Sequence, residues 1–160
     1  MSASTSDPPV PVRFNRLLVL GSVALVACGG ALTAPSGELP YATATNSCAP
    51  ADGPAVSITL LSSLAQTVVD YPPFVILSIW KPLGDLPGKT FRLATGSEDG
   101  YGAYYAEGSR RAGAVTGTVS IYRVARDGSV TGFVDLLLID GSRIRQEFSA
   151  PWTPTRARCG

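Results

Sequence analysis

The clearest alternation of apolar and polar positions lies in the last third of the chain and predicts antiparallel strands. Three strand-like segments are separated by Asp127-Gly128 and Asp140-Gly141, and they span residues 118–125, 130–139 and 143–152. An Asp-Gly pair between apolar runs favours a hairpin with a type I′ turn, because glycine adopts positive φ without steric cost. We therefore predict three consecutive strands joined by two tight turns.

The middle one of these strands is apolar on both faces, which is typical of a covered central strand. One face carries Val134, Leu136 and Leu138, and the other carries Phe133, Leu137 and Ile139, with Asp135 as a polar exception. The second face is expected to pack under another sheet or under a helix from residues 61–69. The alternative is that it forms an exposed surface for a partner.

Further strand signals precede this region. Residues 56–60 alternate and could continue as a short helix, residues 74–80 and 89–95 are rich in β-branched and aromatic side chains, and residues 101–107 resemble an edge strand. Glycine and proline occupy the intervening segments. The pattern predicts an all-β fold of about seven to eight strands, either an antiparallel β-sandwich or a small barrel, with at most one short helix.

Composition divides the chain before these strands. Residues 29–55 are rich in Gly, Ala, Pro, Ser and Thr and show no periodicity, which predicts a flexible tether. The predicted organisation is a leader over residues 1–27, the tether over residues 28–55 and one all-β domain over residues 56–160.

The leader has the features of a secretory signal. Arg13 and Arg16 precede an apolar run of eleven residues at 17–27, which is about half the length that a membrane-spanning helix needs. Within it, Leu25-Val26-Ala27-Cys28 resembles the lipobox of bacterial lipoproteins. The resemblance implies cleavage before Cys28 and attachment of diacylglycerol to its sulfur, so that the protein is anchored to the cell envelope without spanning the membrane.

Two alternatives to the lipobox remain, an ordinary signal peptide cut further on and a core element of the fold. In lipoproteins of Gram-negative bacteria, Asp after the lipidated cysteine commonly signals retention in the inner membrane. Gly29 at that position favours the outer membrane if the organism has one.

Cys48 and Cys159 are the two other cysteines. Disulfides form and persist in exported proteins, and these residues flank the predicted domain, so we expect a bond that joins its ends. Two free thiols, or a bond to another chain, are the alternatives.

Charge argues against nucleic acid as a partner. The chain has 13 basic and 12 acidic residues, and removal of Arg13, Arg16 and Asp7 with the leader leaves 11 of each sign. A nucleic-acid-binding protein normally carries a basic excess.

The chain contains no histidine, which excludes a Ser-His-Asp triad and histidine-ligated zinc. No cofactor, metal site or catalytic residue is predicted. A carbohydrate-active enzyme that uses paired carboxylates remains the main alternative from the enzyme class, since glycosidases need no histidine.

Three groups of residues are candidates for a ligand or partner surface. Carboxylates and tyrosines cluster at Glu98, Asp99, Tyr101, Tyr104, Tyr105 and Glu107, where they could hold a calcium ion or stack on a sugar, or could simply form an edge strand and its turn. The second group is Arg110-Arg111, which could face anionic headgroups or form a solvated turn. The third group contains the outer apolar residues Phe133 and Leu137.

The expected function is that of an envelope lipoprotein whose all-β domain binds another envelope component, a protein or a glycan, or plays a structural role. The alternatives to this function are the carboxylate-based enzyme described above and a passive spacer of the envelope.

We expect Cys28→Ser to leave the precursor uncleaved and without lipid, because the thiol is the only atom in the motif that can form the thioether. Metabolic labelling with a radioactive fatty acid, followed by electrophoresis, tests this outcome. Normal labelling of the variant would refute the lipobox assignment, and Cys48→Ser serves as the matched control that retains the label.

Overall fold

The computed structural model describes residues 39–63, 73–107, 109, 111–157 and 159. The leader, the lipobox with Cys28, residues 28–38 of the tether and most of the predicted helix at 61–69 therefore lie outside the described residues, and so does Arg110. All described residues belong to one compact unit. No helix within these ranges is long and apolar enough to cross a membrane.

Eight strands form a single antiparallel sheet that curls into a half-barrel, which confirms the all-β prediction. In chain order they are β1 (Tyr41–Cys48), β2 (Pro54–Leu61), β3 (Phe74–Ile79), β4 (Lys89–Leu93), β5 (Gly100–Tyr105), β6 (Gly113–Val124), β7 (Val130–Leu137) and β8 (Arg143–Ala150). One 3₁₀ turn, Leu83–Asp85, lies between β3 and β4. The strand order is β1-β2-β3-β5-β6-β7-β8, and β4 also pairs with β6.

The core lies on the concave side of the sheet, where inward-facing residues of every strand meet. Along β2, β3 and β7 the inward positions alternate with outward ones, as the two-residue period of a strand requires. Buried members of this core are Ala42, Ala44, Val56, Ile58, Leu60, Val75, Leu77, Ile79, Phe91, Leu93, Val115, Val119, Ile121, Val130, Val134, Leu136, Ile144, Phe148 and Ala150.

β6 is the longest strand and serves two neighbours along one edge. Residues 113–115 pair with β5, and residues 117–121 pair with β4. Gly117, at φ 142°, lies at the junction. A Cβ atom there would collide with the carbonyl oxygen of Asp135 on β7, so only glycine fits this close approach.

The two predicted hairpins are confirmed, but their turns differ from type I′. Gly128 and Gly141 both have φ 84°, whereas Asp127 and Asp140 stay at negative φ. The bonds Gly128 N–H to Ala125 O (3.0 Å) and Ala125 N–H to Ser129 O (2.8 Å) define a three-residue loop with a left-handed glycine. The aspartates accept hydrogen bonds from Ser129 and Ser142, which favours this turn.

The tether prediction differs from the structure over residues 41–48, which form β1 in full register with β2. Its inward residues are Ala42 and Ala44, so the apolar alternation is present but weak. The β1–β2 turn was also missed, because Asp52 (φ 58°), not the neighbouring glycine, takes the left-handed position. Likewise β5 is not an edge strand, since it pairs with both β3 and β6.

The second face of β7 is not covered by another sheet. Leu137 is 49% exposed and Ile139 71% exposed, while Phe133 is half-buried. The described residues form one sheet, and these side chains lie on its convex side, so the expectation of a second covering sheet was wrong. The alternative cover, a helix at residues 61–69, lies mostly outside the described residues.

The segment after β8 closes the open side of the sheet against β1. Ala44 N–H donates to Pro151 O (2.9 Å), and Thr153 N–H donates to Ala44 O (2.8 Å), which makes a parallel bridge between Ala44 and Trp152. Further along, Asn46 Nδ2 donates to Thr155 O at 3.0 Å. The predicted bond between Cys48 and Cys159 then fixes the end of this segment.

Reduction of the disulfide is expected to lower the melting temperature. The bond closes a loop with a sequence separation of 111, and loop-closure entropy alone could contribute up to about 4–5 kcal/mol. Calorimetry of the protein with and without reductant measures the shift, and the Cys48→Ser/Cys159→Ser double variant serves as the control that reductant should not affect. An unchanged melt, with thiols already titratable before reduction, would contradict the prediction.

Candidate functional site

Two adjoining grooves lie on the convex side of the sheet, over β5, β6 and β7. The first, which we call the aromatic groove, has a volume of about 380 Å³. Of the described residues that line it, only Trp80 and Tyr101 are aromatic and none is charged. Its remaining lining consists of small residues: Ala94, Thr95, Gly96, Gly102, Ala103, Ala112, Gly113, Ala114 and Val115.

Trp80 and Tyr101 are placed by neighbouring strands. Trp80 directly follows β3, and its backbone N–H donates to Asp99 O at 2.8 Å. Tyr101 is the second residue of β5, points outwards and is 46% exposed. The centroids of the two rings are 6.4 Å apart, with a tilt of 50° between their planes. Two rings at this distance favour each other's packing.

The loop 94–99, which forms one wall, is braced against β4. Ser97 Oγ donates to Arg92 O at 2.7 Å, and Arg92 N–H donates to Asp99 Oδ2 at 3.0 Å. Ser97 Oγ also accepts from Asp99 N–H at 3.2 Å. β4 and β5 pair with successive parts of β6 and are therefore nearly in line, so the loop 94–99 between them projects away from the sheet. Asp99 therefore acts as a positioning residue for Trp80.

The wall of this groove also contains an unmet hydrogen-bond donor. The indole nitrogen Nε1 of Trp80 is buried, and no described residue accepts a hydrogen bond from it. Such a group costs about 1–3 kcal/mol, and most buried donors in folded proteins find an acceptor.

The second groove, which we call the polar groove, has a volume of about 340 Å³ and is lined by Thr116, Gly117, Thr118, Asp135, Leu137 and Arg143. Arg143 forms a bidentate interaction with Asp135, in which Nε donates to Oδ1 at 2.6 Å and Nη2 donates to Oδ2 at 2.8 Å. Arg145 Nε lies 3.3 Å from Oδ2 of the same carboxylate. The result is a fixed set of donors and acceptors beside two threonine hydroxyls.

Electrostatics keep Asp135 ionised. The hydrogen bond from Arg143 lowers the pKa of this carboxyl below its usual value, and the charges of Arg143 and Arg145 lower it further, while partial burial opposes the change. Asp135 is therefore an anionic hydrogen-bond acceptor at neutral pH and does not hold a proton to donate.

The grooves meet along β6. Ala114 lines the aromatic groove and Thr116 lines the polar groove, and two residues along a strand span about 7 Å on the same face. Leu137 lies opposite Thr116 on β7, and Ile139 packs beside Gly113. The two grooves therefore form one continuous surface, with aromatic rings at one end and an ion pair at the other.

Some of the residues singled out from the sequence lie on this surface. Tyr101 and Leu137 line the two grooves, and Asp99 supports the aromatic groove from behind. Glu98 is exposed in the same loop, and Phe133 lies on the outward side of β7 two residues before Asp135.

Other members of the acidic and tyrosine-rich cluster lie elsewhere. Tyr104 faces the core and is half-buried; its pKa is raised, first by burial and then by the charges of Asp140 and Glu107. Tyr105 stacks on Phe74, with ring centroids 4.4 Å apart. Residues 98–107 therefore do not converge on one site, and no group of three metal-ligating side chains occurs within the described residues.

Arg111, the described member of the arginine pair, is exposed at a turn in which Ser109 Oγ donates to its carbonyl oxygen at 3.1 Å.

Sequence reasoning missed Trp80, Thr116, Thr118 and Arg143. Trp80 ended an apolar segment and was counted with its strand. The outward face of the last strand was recognised as charged, but only the register of β7 with β8 shows that Arg143 and Arg145 flank Asp135.

Comparison with protein-family models, curated proteins and solved structures finds no match for this chain.

Asp135→Asn is expected to lower the melting temperature at neutral pH by about 1–4 °C. Because the folded-state pKa of Asp135 is depressed, its stabilisation is present above the unfolded pKa of about 3.9 and is lost as pH falls through the lower folded value. Melting curves of both proteins between pH 7 and 2 test this, and the difference should shrink below about pH 4.

Glu147→Gln is the matched control, since it removes a carboxylate from the outward side of β8 without touching the Asp135 ion pair. A difference between wild type and Asp135→Asn that stays constant across this range would show that the ionised pair does not contribute.

Proposed function

We propose that this chain is a lipoprotein of the bacterial cell envelope whose all-β domain binds a ligand through the two grooves on its convex face. The protein would be attached to the membrane through diacylglycerol on Cys28, with the outer membrane favoured in a Gram-negative host because Gly29 follows. The domain then acts on another envelope component, a protein or a glycan.

The lipobox at residues 25–28 supports the anchoring, and the disulfide supports export. A bond between Cys48 and Cys159 is stable in an oxidising compartment and is rare in the cytosol. The balanced charge of the chain after residue 27 gives no basis for binding nucleic acid.

The continuous surface formed by the two grooves carries the binding proposal. Ligand sites are concave, mostly apolar and supplied with a few well-placed polar groups. The aromatic groove supplies the apolar part, and Thr116, Asp135 and Arg143 supply the polar part. A passive spacer needs no such combination on one face.

The carboxylate-based enzyme gains less support from this surface. Glycosidases use two carboxyl groups that flank the scissile bond, and within the part of the chain that the structure describes, Asp135 is the single carboxylate that lines either groove. The bidentate interaction with Arg143 keeps Asp135 ionised, and an ionised carboxylate suits ligand binding better than it suits general-acid catalysis.

A photo-reactive phenylalanine analogue at Leu137 is expected to cross-link the domain to its ligand in intact cells, because this side chain borders the polar groove and is exposed. The same analogue at Tyr41, an exposed residue of β1 outside both grooves, serves as the control.

A heavier species that forms from position 137 and not from position 41 supports the proposal, and its digestion by protease or by glycan-degrading enzymes reports its class. Equal labelling from both positions, or none from either, would count against a ligand on this face.

A further inference from the structure

We propose that the occupant of this face is an uncharged oligosaccharide, a chain of pyranose rings that stacks on Tyr101 and Trp80 and hydrogen-bonds to the polar groove. This inference rests on the proposed function and names the ligand class for the same site.

Charge argues first against polyanions and polycations. Among the described residues, no charged side chain lines the aromatic groove. In the polar groove, Asp135 pairs with both Arg143 and Arg145, which leaves one excess positive charge in this group of three side chains. A single positive charge offers little to a polyanion and nothing to a polycation, whereas a neutral ligand needs no complementary charge.

The location on the sheet face argues against an extended peptide. A peptide that adds to a sheet pairs with the free backbone of an edge strand. Here β6, which runs beneath both grooves, is paired along one side with β5 and β4 and along the other with β7. Its backbone groups are already engaged, so the ligand must be recognised through side chains and ring faces.

Sugar rings combine the two properties that the grooves require. One face of a pyranose exposes C–H groups that pack against an aromatic ring, and Tyr101 offers such a ring at 46% exposure. The small side chains of Ala103 and Ala114 leave room for a sugar ring beside it.

The polar groove suits the hydroxyl groups of a neighbouring sugar. Asp135 presents ionised carboxylate oxygens, Arg143 presents N–H donors, and Thr116 and Thr118 present hydroxyls that donate or accept. The ion pair holds the acceptor and the donors in fixed positions, which reduces the entropy lost on binding.

The unmet donor of Trp80 points to the same ligand class. Its indole nitrogen is buried without an acceptor among the described residues, and a sugar hydroxyl or acetamido oxygen is a group that could accept from it. A purely apolar ligand could not satisfy this group.

The test titrates the mature, lipidated protein in detergent with cellohexaose, chitohexaose and maltohexaose, and follows heat and tryptophan fluorescence. We expect saturable binding of at least one of the three. Tyr101→Ala and Trp80→Ala should each weaken it about tenfold, which corresponds to about 1.4 kcal/mol, near the upper end of what one aromatic stacking contact is worth.

Tyr122→Ala is the matched control, because Tyr122 is 56% exposed but lines neither groove. Its affinity should equal that of the wild type. Tyr101 is exposed, so its removal should leave the fold intact even if Trp80→Ala proves unstable, and melting curves verify this.

Absence of saturable binding by all three sugars at millimolar concentrations would overturn the inference, as would equal losses for Tyr101→Ala and Tyr122→Ala. Salt-sensitive binding of an oligodeoxythymidine at Tyr101 in their place would overturn it too. If none of the sugars binds but the photo-reactive analogue at position 137 still cross-links to a protein, the assigned ligand class is wrong and the proposed binding function is retained.

Discussion

The structure depends on the closure of its curled sheet where the segment after β8 lies against β1, and Ala44 makes the two backbone hydrogen bonds of this contact. Ala44 pairs with β2 on one side and, through its N–H and C=O, with Pro151 and Thr153 on the other. Without this second pairing, β1 would present an open edge to solvent and to other chains. Because Ala44 is fully buried and small, the closing segment can approach closely enough for both hydrogen bonds.

The same architecture creates the aromatic groove, because β6 pairs with two different strands along one edge. β4 and β5 use successive parts of one edge of β6, so the chain between them must leave the sheet and return. This loop, residues 94–99, is held by the hydrogen bonds of Ser97 and Asp99 and forms one wall of the aromatic groove beside Tyr101. The glycines and alanines of β5 and β6 then leave space above the sheet, and the groove follows from the topology.

Much of the fold could be predicted from local pattern, and the site largely could not. The C-terminal hairpins carry strong signals, since Asp-Gly turns separate long apolar strands. β1 was missed because its inward residues are alanines, which differ little in hydrophobicity from the Thr and Ser residues that alternate with them. At the site, Trp80 meets Tyr101 and Arg143 meets Asp135 only after strand register brings them together. Tyr101 and Leu137 were identified as outward residues, but their neighbours were set by pairings that no local pattern contains.

The disulfide also determines how the domain would respond to a force applied from its N-terminal side. Such a force enters the described part of the chain at Leu39 and acts first on β1. The covalent loop from Cys48 to Cys159 encloses every other strand. Tension could peel β1 from β2 as far as Cys48, but the load would then pass through the sulfur atoms to the C-terminal segment. Under strain, the seven strands that carry both grooves would stay within a closed covalent ring.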